Sequence, residues 1–160
     1  MKTYSIKVTL RGVSPMIWRR IRICGSTSLI SLQALIRVAQ DYDKDQLHQF
    51  RIYAKDYEIY RNQCVDRSDN FCHAVIDDFH FDVGDRFIYI SYTEIEFSFM
   101  KNRLYDIRIE SIEEKSPRKK HPFCISGNGM LGVSKKFGVR NSGSKFRVRS
   151  CSVPFTVKLI

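Results

Sequence analysis

The sequence predicts an α+β domain whose mainly antiparallel sheet of six or seven strands is covered by one amphipathic helix, followed by a basic C-terminal extension. Three observations predict it: runs in which apolar and polar residues alternate, a single segment with helical spacing, and a break in charge near residue 115. Of the 27 Lys/Arg, eleven lie in 115–160, which holds none of the 17 Asp/Glu, so the preceding body is nearly neutral.

Tyr4, Ile6, Val8 and Leu10 alternate with Ser5, Lys7 and Thr9, the period of a half-buried strand. Gly12, Ser14 and Pro15 interrupt it, and a second extended run covers 17–23 with Ile21 and Ile23 on one face and Arg20 and Arg22 on the other. The short link between them predicts an antiparallel pair. Ser28 or Ser31 then caps a helix in which Leu32, Leu35, Ile36 and Ala39 recur at helical spacing. Asp41, Asp43 and Asp45 imitate the opening of a calcium loop, but Gln46 stands where that loop needs glycine and Ile52 where it needs glutamate, so a solvated loop is expected.

Residues 47–53 and 57–60 read as a hairpin turning at Lys55-Asp56, and the polar run 61–70 as a loop. Asp82-Val83-Gly84-Asp85 marks a turn. Three alternating runs follow, through Phe87 to Tyr92, through Ile95, Phe97 and Phe99, and through Tyr105, Ile107 and Ile109, as a meander.

At 160 residues with 43% hydrophobic content the chain can bury a full core. Its apolar runs are too short to cross a bilayer and its first residues lack the apolar stretch of a secretory signal, so no membrane partner and a cytoplasmic location are expected. The five cysteines include no CxxC pair and read as reduced thiols. A zinc site drawn from Cys64, Cys72, His73, His121 and Cys124 has one ligand-like spacing, His121 to Cys124, but no second compact pair. No metal and no cofactor are expected.

The charge layout suits a protein that meets a polyanion. Arg118, Lys119, Lys120, Lys135, Lys136, Arg140, Lys145, Arg147 and Arg149 are the candidate phosphate-neutralising residues, giving weak, sequence-independent nucleic-acid affinity, since no base-reading motif is present. Arg19, Arg20 and Arg22 beside Trp18 extend that surface on one reading; on the plainer one, Trp18 belongs to the core and the arginines to an exposed strand face. Two other classes compete. Asp77, Asp78, Asp82 and Asp85 with His80 or His48 are the carboxylates and imidazoles from which a hydrolase would draw its acid and base. Tyr53, Tyr57, Tyr60 and Tyr92 suit a surface that binds another protein or a second copy.

The order of these elements resembles a known family. Ser-Pro-Met-Ile-Trp-Arg-Arg-Ile at 14–21, with Trp18, Arg19 and Arg20, and Leu-His-Gln-Phe-Arg-Ile at 47–52, with His48 and Phe50, are similar to motifs of the plasmid pRi open-reading-frame-three-like proteins, also called transposon-passenger TnpR proteins. Asp82 to Phe87, Asp106 to Glu110 and His121 to Gly127 extend the likeness, which covers about residues 3–129. It implies a compact α+β domain of mobile elements, with no agreed activity. The name suggests a resolvase, yet no N-terminal serine stands in a recombinase context.

Relatives carry an acidic Gly-containing turn followed by tryptophan and histidine where this chain has Phe97 to Tyr105, so the resemblance implies at most a vestigial hydrolase-like domain that has lost its acidic site. The chain also leaves the family's acidic ending for a Gly/Ser-punctuated basic one, in which Phe146 to Arg149 and Val153 to Leu159 alternate like edge strands. The expected division is therefore a domain over 1–126 and an extension over 127–160, with Gly127 and Gly129 opening a flexible link.

Overall fold

A computed structural model describes residues 2–39, 47–60, 63–64, 74–92, 102–114 and 121–129. The chain forms β1 (Lys2–Leu10), β2 (Trp18–Cys24), α1 (Leu29–Ala39), β3 (Leu47–Ile52), β4 (Lys55–Tyr60), β5 (Gln63–Cys64), a 3-10 turn over Ile76–Phe79, β6 (Arg86–Ser91), β7 (Arg103–Glu114) and β8 (Phe123–Asn128). All eight strands join one sheet in the order β5-β4-β3-β6-β7-β1-β2-β8, and every neighbouring pair is antiparallel. The α+β class, the antiparallel sheet and the single α-helix agree with the sequence. Seven strands are of ordinary length and the eighth, β5, has two residues. The run through Ile95, Phe97 and Phe99, the Asp41 to Asp45 segment and the edge-strand pattern of the extension lie outside the described residues.

Period-two alternation sorts each strand between a core face and an open face. Tyr4, Ile6, Val8, Ile21, Ile23, Ile107, Ile109, Phe87, Tyr89 and Phe50 are buried on the first, in one cluster with Leu29, Leu32, Leu35 and Ile36 of α1. That cluster continues as stacked and tilted rings, with Phe81 against Phe87 at 5.0 Å and Phe50 against Tyr89 at 4.9 Å. Ser28 is the helix cap: its Oγ accepts from the Ser31 amide at 3.2 Å and its carbonyl from the Leu32 amide at 2.8 Å.

Gly25 sits where any side chain would collide. A Cβ there would lie 2.2 Å from the Asp77 carboxyl carbon, and that carboxylate accepts the buried Tyr4 hydroxyl at 2.8 Å. The 3-10 turn is thereby clamped to β1, with Asp77 N donating to the Gly25 carbonyl at 2.9 Å.

The β3–β4 hairpin turns at Tyr53-Ala54, two residues before the expected Lys55-Asp56, because Lys55 pairs with Ile52 and Asp56 with Arg51. Both loop residues adopt positive φ, 48° and 63°, the geometry of a two-residue turn that matches sheet twist. The sequence lacks the Asn-Gly or Asp-Gly that marks such a turn. Tyr53 is held there by its ring on Phe81 at 5.7 Å and its hydroxyl donating to Asp85 at 3.1 Å, whereas Ala54 has no such anchor among the described contacts. Ala54→Gly is therefore expected to raise stability by about 1 kcal/mol, the usual penalty of a left-handed non-glycine residue, read as an upward shift of the urea midpoint at constant slope.

Candidate nucleic-acid interface

On the open face, strand register builds a row of like charge. Arg86 of β6 lies opposite Arg108 of β7, Arg108 opposite Lys7 of β1, and Lys7 opposite Arg20 of β2. These four positions are far apart in sequence, and only the strand order brings them into one line spanning about 14 Å, three inter-strand spacings. Arg86 and Arg108 are exposed, Lys7 and Arg20 half-buried. Directly opposed like charges destabilise a sheet by roughly 0.2–1 kcal/mol per pair.

The acids nearest the row do not neutralise it. Glu110 forms a bidentate pair with Arg20, one arm an Nη2 to Oε1 bond of 3.1 Å, and Asp106 is held by Arg11, whose Nε donates to Oδ2 at 2.6 Å. Lys7, Arg22, Arg86 and Arg108 form no ion pair among the described residues. The Arg20 hydrogen bond holds the Glu110 carboxyl below its usual range, with a smaller pull from Lys7 and Arg108, against a rise from burial. A carboxyl depressed in the fold stabilises above its unfolded pKa, about 4.3, and loses that contribution as pH falls through the lower folded value. Melting-temperature differences between wild type and Glu110→Gln are expected to be widest above pH ~5 and to close below pH ~4.

Two rings share this face. Trp18 lies one pleat to one side of the row, with Lys7 Nζ 4.8 Å and Arg20 Cζ 5.4 Å from its ring centre. Phe123 of β8 lies on the other side, opposite Arg22, whose Cζ is 5.9 Å from its ring centre. Trp18 is thus not a core residue: the alternation that buries Ile21 and Ile23 turns Trp18, Arg20 and Arg22 outward together.

The same alternation turns Arg19 inward, away from the surface it was grouped with. It is 8% exposed, and its guanidinium donates to carbonyls of Ala39 at 3.0 Å, Trp18 at 2.9 Å, Asn128 at 3.0 Å and Gly129 at 2.8 Å. One side chain thus joins the end of α1, β2 and the end of β8. Gly127 faces it across the β2–β8 pair, where a Cβ would come 2.5 Å from the Arg19 Cδ. Gly127 and Gly129 are therefore parts of this joint, not the start of a flexible link, and β8 runs on to Asn128. The glycines read as a linker because the residue that needs them lies more than 100 positions earlier.

The other candidates are engaged locally. His48 and Phe50 face the core: Phe50 is fully buried, and His48 Nδ1 shares a 2.7 Å hydrogen bond with the Tyr89 hydroxyl. Asp85 accepts the Asp82 amide at 2.9 Å, Asp78 accepts the Val75 amide at 2.9 Å, and His80 Nδ1 donates to the Asp78 carbonyl at 2.8 Å. These bonds fasten turns and bring no carboxylate to an imidazole. Tyr57 packs edge-on against Phe79 and Tyr92 donates to Gln49, while Tyr53 and Tyr60 are exposed. Cys124 is buried beside Ile21, and His121 meets Thr3 at 3.5 Å. No group of three metal-ligating side chains occurs among the described residues. Arg118, Lys119, Lys120, Lys135, Lys136, Arg140, Lys145, Arg147 and Arg149 lie outside them. No described helix is long and apolar enough to cross a membrane.

Comparison with known proteins places this geometry among relatives. A family described as plasmid pRiA4b ORF-3-like protein matches residues 2–132. No curated protein matches the chain significantly. Among solved structures, a protein of unknown function from Methanosarcina mazei Go1 superposes with a TM-score of 0.61 at 22% identity, covering 79% of this chain and 68% of its own, which is a likeness of fold.

Proposed function

The chain belongs to the plasmid pRiA4b ORF-3-like family, and on that premise we propose that it is a non-catalytic accessory protein of a mobile element that holds nucleic acid electrostatically, without reading base sequence. The observation that carries this is the row Arg86, Arg108, Lys7 and Arg20 on the open sheet face. A sheet gains nothing from stacking four like charges across consecutive strands, and a polyanion laid over them converts that repulsion into binding energy by releasing its own counterions. The acid-free segment 115–160 supplies a second cationic element on the same chain, with Arg118 to Lys120 and Lys145 to Arg149 as its densest clusters. The carboxylates and imidazoles that a hydrolase would need are committed to turns and to the core, which favours binding over chemistry.

The test is the salt dependence of binding by the full chain. With about five phosphates neutralised, log affinity for duplex DNA falls against log salt with a slope near −4.5, or near −3.5 for a single strand. Affinity that does not move with salt, or that depends on one base sequence, contradicts the proposal.

A further inference from the structure

Building on the electrostatic reading above, we infer that the strand held on this face is unpaired: its bases stack on Trp18 and Phe123 while its phosphates lie along Lys7, Arg20 and Arg22. The two rings flank the cationic row from opposite sides, Trp18 at the start of β2 and Phe123 opposite Arg22 near its end, about 14 Å apart by strand geometry. Phe123 is 39% exposed, a large apolar ring left in solvent beside a guanidinium. Cation-to-ring distances of 4.8, 5.4 and 5.9 Å put positive charge within one nucleotide's reach of each ring. That pairing matches the two ends of a nucleotide, since the ring offers a face to the base and the cation takes the phosphate.

A duplex cannot use this arrangement. Its bases are stacked inside, and its major groove admits a helix or a two-stranded ribbon but not the face of a broad sheet. Against a duplex, Trp18 and Phe123 would meet only sugar and phosphate. Charge alone would favour the duplex, whose phosphates are denser, so a preference for single strands isolates the contribution of the rings.

Trp18 is the sole tryptophan of the chain, so its fluorescence reports directly on the face. The full chain is titrated at fixed salt with a thymidine oligonucleotide of about 16 nucleotides, the uridine equivalent, the duplex of the first, and phosphatidylserine vesicles. Saturable quenching by a single strand is expected, the tighter of DNA and RNA naming the source, with the duplex binding at least about tenfold more weakly. Phe123→Ala, chosen because that ring is the more exposed, is expected to weaken single-strand binding roughly tenfold and to leave duplex binding unchanged. Duplex binding as tight as single-strand binding, an unchanged preference in Phe123→Ala, or vesicles quenching as strongly as the oligonucleotides overturns the inference while the electrostatic reading stands. Absence of binding to every nucleic acid removes that reading as well.

Discussion

Arg19→Ala is expected to lower stability by roughly 3 kcal/mol, the largest effect of any single substitution outside the aliphatic core. The guanidinium satisfies carbonyls on α1, β2 and β8 together, and truncation leaves acceptors with about 1–3 kcal/mol of lost pairing each where water cannot reach them. In a domain of this size that corresponds to a fall of about 6–12 °C in melting temperature. Arg19→Lys is expected to recover little, because an ammonium on a flexible stem cannot fork to four acceptors in a fixed plane. Differential scanning calorimetry of the two variants checks both claims. The loss should concentrate at the β2–β8 end, so amide exchange there should accelerate before exchange in β6 and β7 does.

Neutralising Lys7, Arg86 and Arg108 together is expected to have the opposite sign on stability and a large effect on binding. These side chains form no ion pair among the described residues, and each faces another cation across a strand, so replacing them with threonine relieves repulsion at about 0.2–1 kcal/mol per opposed pair and suits β structure. Melting temperature should hold or rise. Binding should weaken, and the salt slope on single strands should become shallower by about 2, since each lost phosphate contact removes about 0.7. Residues kept only to solubilise a strand face would show the first effect without the second. Thermal melts and salt titrations on the same preparation separate the two.

Much of the fold was legible because it rests on local periodicity. Tyr4 to Leu10, Ile21 and Ile23, the Leu32 to Ala39 stripe and Tyr105 to Ile109 occupy the faces that their alternation or helical spacing assigns. Extending the β2 alternation two residues upstream would have buried Arg19 and exposed Trp18, so that signal was present, but a buried arginine is exceptional without a carboxylate and tryptophan is ordinarily a core residue. The hairpin turn was misplaced because Tyr53 and Ala54 are poor formers of positive φ, and what holds Tyr53 is a contact with Phe81 and Asp85 some 30 positions away.

The candidate site was hidden for a different reason. Sixteen basic and seventeen acidic residues before 115 average to near neutrality, so composition pointed to the extension alone. Segregation within the body depends on β6, β7, β1 and β2 lying side by side, a strand order that crosses the chain and that no local pattern encodes. Only after pairing do Arg86, Arg108, Lys7 and Arg20 line up, with Asp106 and Glu110 drawn off by Arg11 and Arg20.

Mapping by amide chemical shifts addresses the interface most directly. On titrating the isotope-labelled full chain with a single-stranded oligonucleotide, the account predicts that shifts concentrate at Lys7, Trp18, Arg20, Arg86 and Arg108, while the core-facing neighbours Ile6, Ile21 and Ile107 move far less. Shifts confined to residues 115–160, or gathered at the Tyr53 hairpin with the open face of β1, β2, β6 and β7 unperturbed, would contradict it.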